Sequence, residues 1–206
     1  MPRLRGVMHS WLFFLAIPAG IVLIFAARDI TARVAAAVYV ATVMAGFGVS
    51  AAYHRLARSP RARALMQRLD HSTIYVLIAG TYVPICLIAL PRSWGIPLLV
   101  LVTLGATVGI VLKLVAFGRI SWLSYSLYPV LGWSAVLAAP ALITHLTWMQ
   151  LGLVIAGGIA YTVGIPFLIL RRPNPWPRVF GYHEIWHSFT AVAAGLHFAA
   201  VAALVT

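Results

Sequence analysis

Two histidines four residues apart, His183 and His187, frame the string His183-Glu-Ile-Trp-His187. On a helix this spacing stacks both imidazoles on one face, one turn apart, a common way to chelate zinc. Ser50 and His54 repeat the spacing in Ser50-Ala-Ala-Tyr-His54, and Asp70 stands just before another apolar run, in Leu-Asp70-His71-Ser. Three imidazoles with one open or water-filled position make a catalytic type of zinc site. Asp70 could accept a proton from a water whose pKa the metal lowers to about 7, with Ser50 holding that water or a substrate oxygen. Imidazole also suits iron, copper and nickel, so these residues alone leave the metal open. Each piece has a plain alternative. A histidine pair near a membrane surface is often just a pair of snorkelling polar groups, and Asp70 could cap a helix that starts near Ser72.

The elements that would position these residues are membrane helices. The chain has 206 residues, of which 63% are hydrophobic and 9% charged, with a mean hydropathy of +0.98. Soluble domains carry roughly 25% charged residues, so a soluble enzyme, a disordered chain and a coiled coil are excluded. Crossing a hydrocarbon core of about 30 Å takes about 20 apolar residues. Seven stretches qualify: Trp11–Ala27, Val34–Tyr53, Ser72–Leu90, Gly95–Leu112, Trp122–Ile143, Trp148–Leu170 and Ile185–Thr206. The remainder holds no room for a soluble domain, so all 206 residues read as one all-α seven-helix bundle. Span two ends, span three begins and span seven begins at the same membrane face. Alternating direction therefore brings Ser50, His54, Asp70, His183 and His187 to one depth.

The net charge of +12 would suggest nucleic acid on a soluble protein. Here the cations fall in the breaks between spans and set topology instead, which leaves nucleic acid out as a partner. Twelve of the fifteen, among them Arg3, Arg5, Arg55, Lys113, Arg119 and Arg178, lie on one side; Arg28, Arg33 and Arg92 lie on the other. The N-terminus is expected in the cytoplasm and the C-terminus outside, with the histidines on the cytoplasmic side of a plasma membrane. Span one, at 17 residues, exceeds a signal peptide's apolar core and is read as a retained helix. The segment 54–71 reads as a cytoplasmic loop with Leu65, Met66 and Leu69 along the surface; Pro173, Pro175 and Pro177 forbid helix before span seven. Gly105 and Gly109 form a GxxxG, read as packing within the bundle in preference to a homodimer. The single cysteine, Cys86, forms no intrachain disulfide.

At the polar residues the chain resembles the hemolysin III family, the bacterial members of the progestin and adiponectin receptor superfamily. The resemblance rests on Ser50-x3-His54, on Asp70 in Leu-Asp-His-Ser, on His183-x3-His187, and on the connecting text Gly48-Val-Ser-Ala-Ala-Tyr-His-Arg-Leu and Asp70-His-Ser-Thr-Ile-Tyr-Val-Leu-Ile-Ala-Gly-Thr-Tyr. It covers essentially the whole chain. It implies a zinc ion held by His54, His183 and His187 on the cytoplasmic side, with Asp70 and Ser50 around the water. The superfamily includes alkaline ceramidases, which implies hydrolysis of a lipid amide, with a membrane lipid as substrate or ligand. The family's name refers to hemolysis.

Other readings compete. His183-Glu184-x-x-His187 also matches the HExxH of metalloproteases, with Glu184 as general base. Intramembrane zinc proteases add a downstream aspartate ligand, and the 19 residues after His187 contain no acid. Glu184 could instead assist proton transfer, or favour the positive helix end. A lipid-binding receptor with structural zinc would satisfy the same residues. A cytolysin would need outer loops that the spans do not leave. A retinal pump would need a lysine deep in a span, and the only lysine is Lys113 at the inner end of span four. Among the remaining histidines, His71 is expected beside the site or at the interface. His197 lies about 15 Å deeper than His187 and is expected to line a cavity or bond a neighbouring helix. His9 and His145 are expected at the interfaces.

Overall fold

The computed structural model describes residues 2–119 and 121–206. Eight α-helices make seven membrane crossings: α1 (Val7–Ala26), α2 (Ile30–Arg55), α3 (Pro60–Pro84), α4 (Arg92–Val115), α5 (Ser121–Gly132), α6 (Ala139–His145), α7 (Trp148–Leu170) and α8 (Tyr182–Val205). α5 and α6 share the fifth crossing, joined by a 3-10 turn at Ser134–Ala138. Large apolar side chains face outward all round, among them Phe25, Val115, Trp148 and Ile169, as expected of a surface solvated by lipid. α8 packs against α7, α1, α2 and α3. One apolar core joins α1, α2 and α8 through Leu23, Tyr39, Val43, Phe47 and Val201. A second joins α3, α4, α6 and the far end of α8 through Tyr82, Val102, Leu142 and Leu204.

Two elements depart from the sequence expectation. The segment expected as a loop between spans two and three is mostly helix: α3 starts at Pro60, twelve residues before Ser72. Ser59 caps it by accepting the Ala62 N–H at 3.1 Å, and Pro60 fits the first turn, where no amide partner is needed. Arg61, Arg63 and Arg68 disguise this helix because its first turns carry charge and little apolar surface. Asp70 therefore lies inside α3 and caps nothing. The fifth crossing, expected as one helix, breaks after Gly132. Pro129 and Pro140 remove backbone donors around the break, and its freed groups need partners where no water is available. Tyr82 supplies them. Its hydroxyl donates toward the Leu131 and Gly132 carbonyls at 3.0 and 2.9 Å and accepts the Ala135 N–H at 2.8 Å.

The glycines of the GxxxG are occupied within the bundle. A Cβ on Gly109 would fall among the ring atoms of Tyr75, and one on Gly105 would meet Leu131. The three-proline segment is free of helix, as expected. The topology gathers twelve cations at the end of the bundle where α2 and α4 finish and α3 and α8 begin.

Candidate metal centre

The last turn of α2 and the first two turns of α8 meet at this cation-rich end, and their histidines face one another. One ligating nitrogen from each of His54, His183 and His187 can be chosen so that all lie within 4.8 Å of one another. His54 Nε2 and His183 Nε2 are 3.2 Å apart. The ring centroids are 4.5 Å apart for His183 and His187, 4.9 Å for His54 and His183, and 5.3 Å for His54 and His187. His187 is 4% exposed and its ring nitrogens have no hydrogen-bond partner among the described residues. The only hydrogen-bond partner of the His54 or His183 ring there is the other. Imidazole nitrogens without protein partners are available to bind a further group.

This donor set fits a metal ion. Bonds of about 2.0–2.1 Å to a tetrahedral zinc place ligand nitrogens about 3.3 Å apart, close to the His54–His183 separation. The three side chains could hold such an ion.

Ser50 lies one turn before His54, 4% exposed, within hydrogen-bonding reach of the Asp70 carboxylate on α3. Asp70 is half-buried, in electrostatic contact with Tyr53 and Tyr128. Three helices thus supply the five candidate residues.

The accessory residues divide. His71 turns toward α4 and α5: its Nδ1 lies 3.3 Å from the Tyr125 hydroxyl, and its ring stands 5.4 Å from that of Phe117. Glu184 is 1% exposed and both its oxygens are engaged. Arg5 Nε donates to Oε1 at 2.6 Å, and the Gly181 N–H donates to Oε2 at 2.8 Å. A carboxylate held this way caps α8 and neutralises a guanidinium, with one donor on each oxygen. His197 bonds across helices as one of its two expectations had it, with Nε2 3.2 Å from the Val154 carbonyl of α7.

Two functional neighbours escape a reading of spans alone. His9, expected at the interface, is 6% exposed inside the bundle. Its ring stacks on His187 with centroids 3.9 Å apart and planes 1° from parallel. Its Nε2 is 3.2 Å from Thr190 Oγ1, one turn beyond His187, while its Nδ1 is buried without a partner. Arg5, read as one topology cation among twelve, is the partner of Glu184. The backbone explains both. Arg3 N–H and Leu4 N–H donate to the Arg178 and Val179 carbonyls at 3.0 and 3.3 Å, which straps the N-terminal segment across the entrance to α8. Gly6, at φ +77°, turns this strap into α1 where a Cβ would stand 2.7 Å from the His54 Cβ. The sequence signal was Arg5-Gly6 with His9 one turn on. Its partners lie about 180 residues away, beyond the reach of spacing rules.

The family model for haemolysin-III related proteins matches residues 1–198. The chain is 34% identical over 197 residues to "Hemolysin-3" of Bacillus cereus, covering 94% of this chain and 87% of that protein. It is 40% identical over 129 residues to "Hemolysin-3 homolog" of Bacillus subtilis (strain 168), covering 63% of this chain and 58% of that protein. It is also 32% identical over 184 residues to "Heptahelical transmembrane protein ADIPOR2" of Oryza sativa subsp. japonica, covering 80% and 79%. With seven helices long and apolar enough to span a bilayer, this is a multi-pass integral membrane protein. It belongs to the hemolysin III family, within reach of the adiponectin receptor superfamily.

Proposed function

We propose that the chain is a zinc-dependent hydrolase of lipid amides, working at the cytoplasmic face with His54, His183 and His187 as metal ligands. The observation that carries this reading is the set of three converging imidazoles at one end of the bundle, with Ser50 one turn before His54 on α2 and paired with Asp70 on α3. When bound, zinc would supply a Lewis acid and bring the pKa of a coordinated water to about 7. Asp70 takes the proton from the attacking water as the amide C–N bond breaks and returns it to the leaving nitrogen. Ser50, within hydrogen-bonding reach of Asp70, orients that carboxylate. Glu184, held by Arg5 and the Gly181 amide, caps α8 and is not needed as the base in this reading. The cation excess supports the cytoplasmic placement. An apolar groove of about 690 Å³ between α1 and α2, lined by Phe13, Met44, Gly48, Ala52 and Arg55, follows the turns of α2 that carry Ser50 and His54. It offers an acyl chain a resting place against α2 beside the site.

The test uses purified zinc-loaded protein in phosphatidylcholine vesicles containing a ceramide, with released fatty acid as the readout. Wild type should release fatty acid above a His187→Ala control. Asp70→Asn should lose about 10²–10⁴-fold while keeping its zinc. Full activity in Asp70→Asn would remove it as base. Equal signals from wild type and His187→Ala would leave the protein a lipid-binding receptor in which the metal is structural.

A further inference from the structure

The chain's single lysine is buried at the histidine end of the bundle, away from the histidine cluster. Lys113 occupies the last turn of α4 and is 2% exposed. Its Nζ lies 3.6 Å from the centroid of the Tyr125 ring, 5.5 Å from that of Tyr128 and 5.8 Å from that of Phe117. Among the described residues no carboxylate, carbonyl or hydroxyl is hydrogen-bonded to it. Cation–π contacts contribute about 0.5–2 kcal/mol, against several kcal/mol for withdrawing an ammonium from water. The aromatic rings therefore do not offset the burial, and the charge calls for an anion.

The surroundings repel every candidate except an anion from outside. Asp70, the one acid on the adjoining part of α3, is engaged with Ser50. Among the described residues the other titratable neighbours, the cage tyrosines aside, are basic: His71 approaches Tyr125, Arg68 Nη1 donates to the Leu114 carbonyl at 2.9 Å, and Arg171 is in electrostatic contact with Tyr125. The flanks of the cage are exposed, with Tyr125 at 42%, Trp122 at 73% and Val115 at 79%. Exposed Trp and Tyr at a helix end mark headgroup depth. A phosphate reaching the cage from this side arrives attached to a lipid.

We propose that Lys113, with its cage of Tyr125, Tyr128 and Phe117, is a binding site for the phosphate of an anionic phospholipid in the leaflet on the histidine side. Basic recesses between membrane helices take such headgroups. The ammonium pairs with the phosphodiester, the three rings shield the pair from water, and the acyl chains lie along the apolar faces of α4 and α5. The site does not use the three histidine ligands, although Tyr128 of its cage is in electrostatic contact with Asp70.

The experiment compares wild type with Lys113→Met, which keeps the packing and removes the charge, and with Lys113→Arg, which keeps the charge. Each is purified, equilibrated with equal phosphatidylglycerol and phosphatidylcholine, and analysed for retained lipid by native mass spectrometry. Wild type and Lys113→Arg should retain phosphatidylglycerol preferentially, and Lys113→Met should lose that preference by about fivefold with its bound metal unchanged. A second measurement needs only wild type. An amine-reactive reagent should modify Lys113 in phosphatidylcholine vesicles and be blocked in phosphatidylglycerol vesicles, relative to the α-amino group in the same sample. Undiminished phosphatidylglycerol retention in Lys113→Met, or equal Lys113 modification in the two vesicles, overturns the site. Protection by inorganic phosphate as strong as that by the lipid overturns the lipid assignment.

Discussion

His187 and His197 sit ten residues apart on one helix, both inside the bundle, yet they live in opposite chemical situations. His197 lies under Gly157, whose missing side chain makes room for the ring, and takes the Val154 carbonyl as partner. One cross-helix hydrogen bond accounts for it, and α7 and α8 are held together in return. His187 has no such partner. It is stacked under His9, surrounded by His54 and His183, with its nitrogens open to whatever enters between them. A histidine in a membrane helix is thus no sign of function by itself; the deciding fact is whether the protein satisfies its nitrogens.

That contrast can be broken by substitution. His187→Ala should lower metal affinity by more than the 10–100-fold that losing a supporting residue costs, and His197→Ala should leave metal content unchanged. Metal analysis of both purified proteins decides it, and equal losses would erase the distinction. Arg5→Ala leaves the Glu184 carboxylate buried without its ion partner, which costs about 3–5 kcal/mol and should appear as a large drop in unfolding temperature. Glu184→Gln keeps one acceptor oxygen and sets an amide NH2 against the other donor, so it should also destabilise, though by less, because no carboxylate is left buried without its ion partner. Gly157→Ala forces the His197 ring aside and should destabilise by about 1–3 kcal/mol with no change in bound metal. The smallest effect is expected at His9. Removing the stacked ring in His9→Ala forfeits about 0.5–1.5 kcal/mol, a several-fold loss of metal affinity that His9→Phe should restore. If His9→Phe behaves like His9→Ala, the ring's nitrogens matter more than its face.

The seven crossings, the convergence of His54, His183 and His187, and the Ser50–Asp70 pairing across α2 and α3 were legible because apolar length and alternating direction are properties of the chain itself. A residue at the start of one span must share a depth with one at the end of the span before. Where α3 begins was obscured by the arginines of its first turns, although Ser59-Pro60 is a recognisable helix start. The break in the fifth crossing was signalled by Pro129, Gly132 and Pro140, but its repair by Tyr82 was not, since that partner sits on another helix. His9 and Arg5 stayed hidden for the same reason. Neither has a companion at helical spacing, and what gives them meaning is the last helix of the chain.

The strap formed by residues 3–9 also sets an order of assembly. Its partners, from Arg178 to Thr190, are synthesised after the first six crossings, so the histidine end can close only after the seventh crossing has entered the bilayer. Until then α1 and α2 wait with two lone imidazoles, a poor trap for metal. The finished centre is thereby a checkpoint on completeness, since a nascent chain halted before residue 183 lacks two of the three ligands.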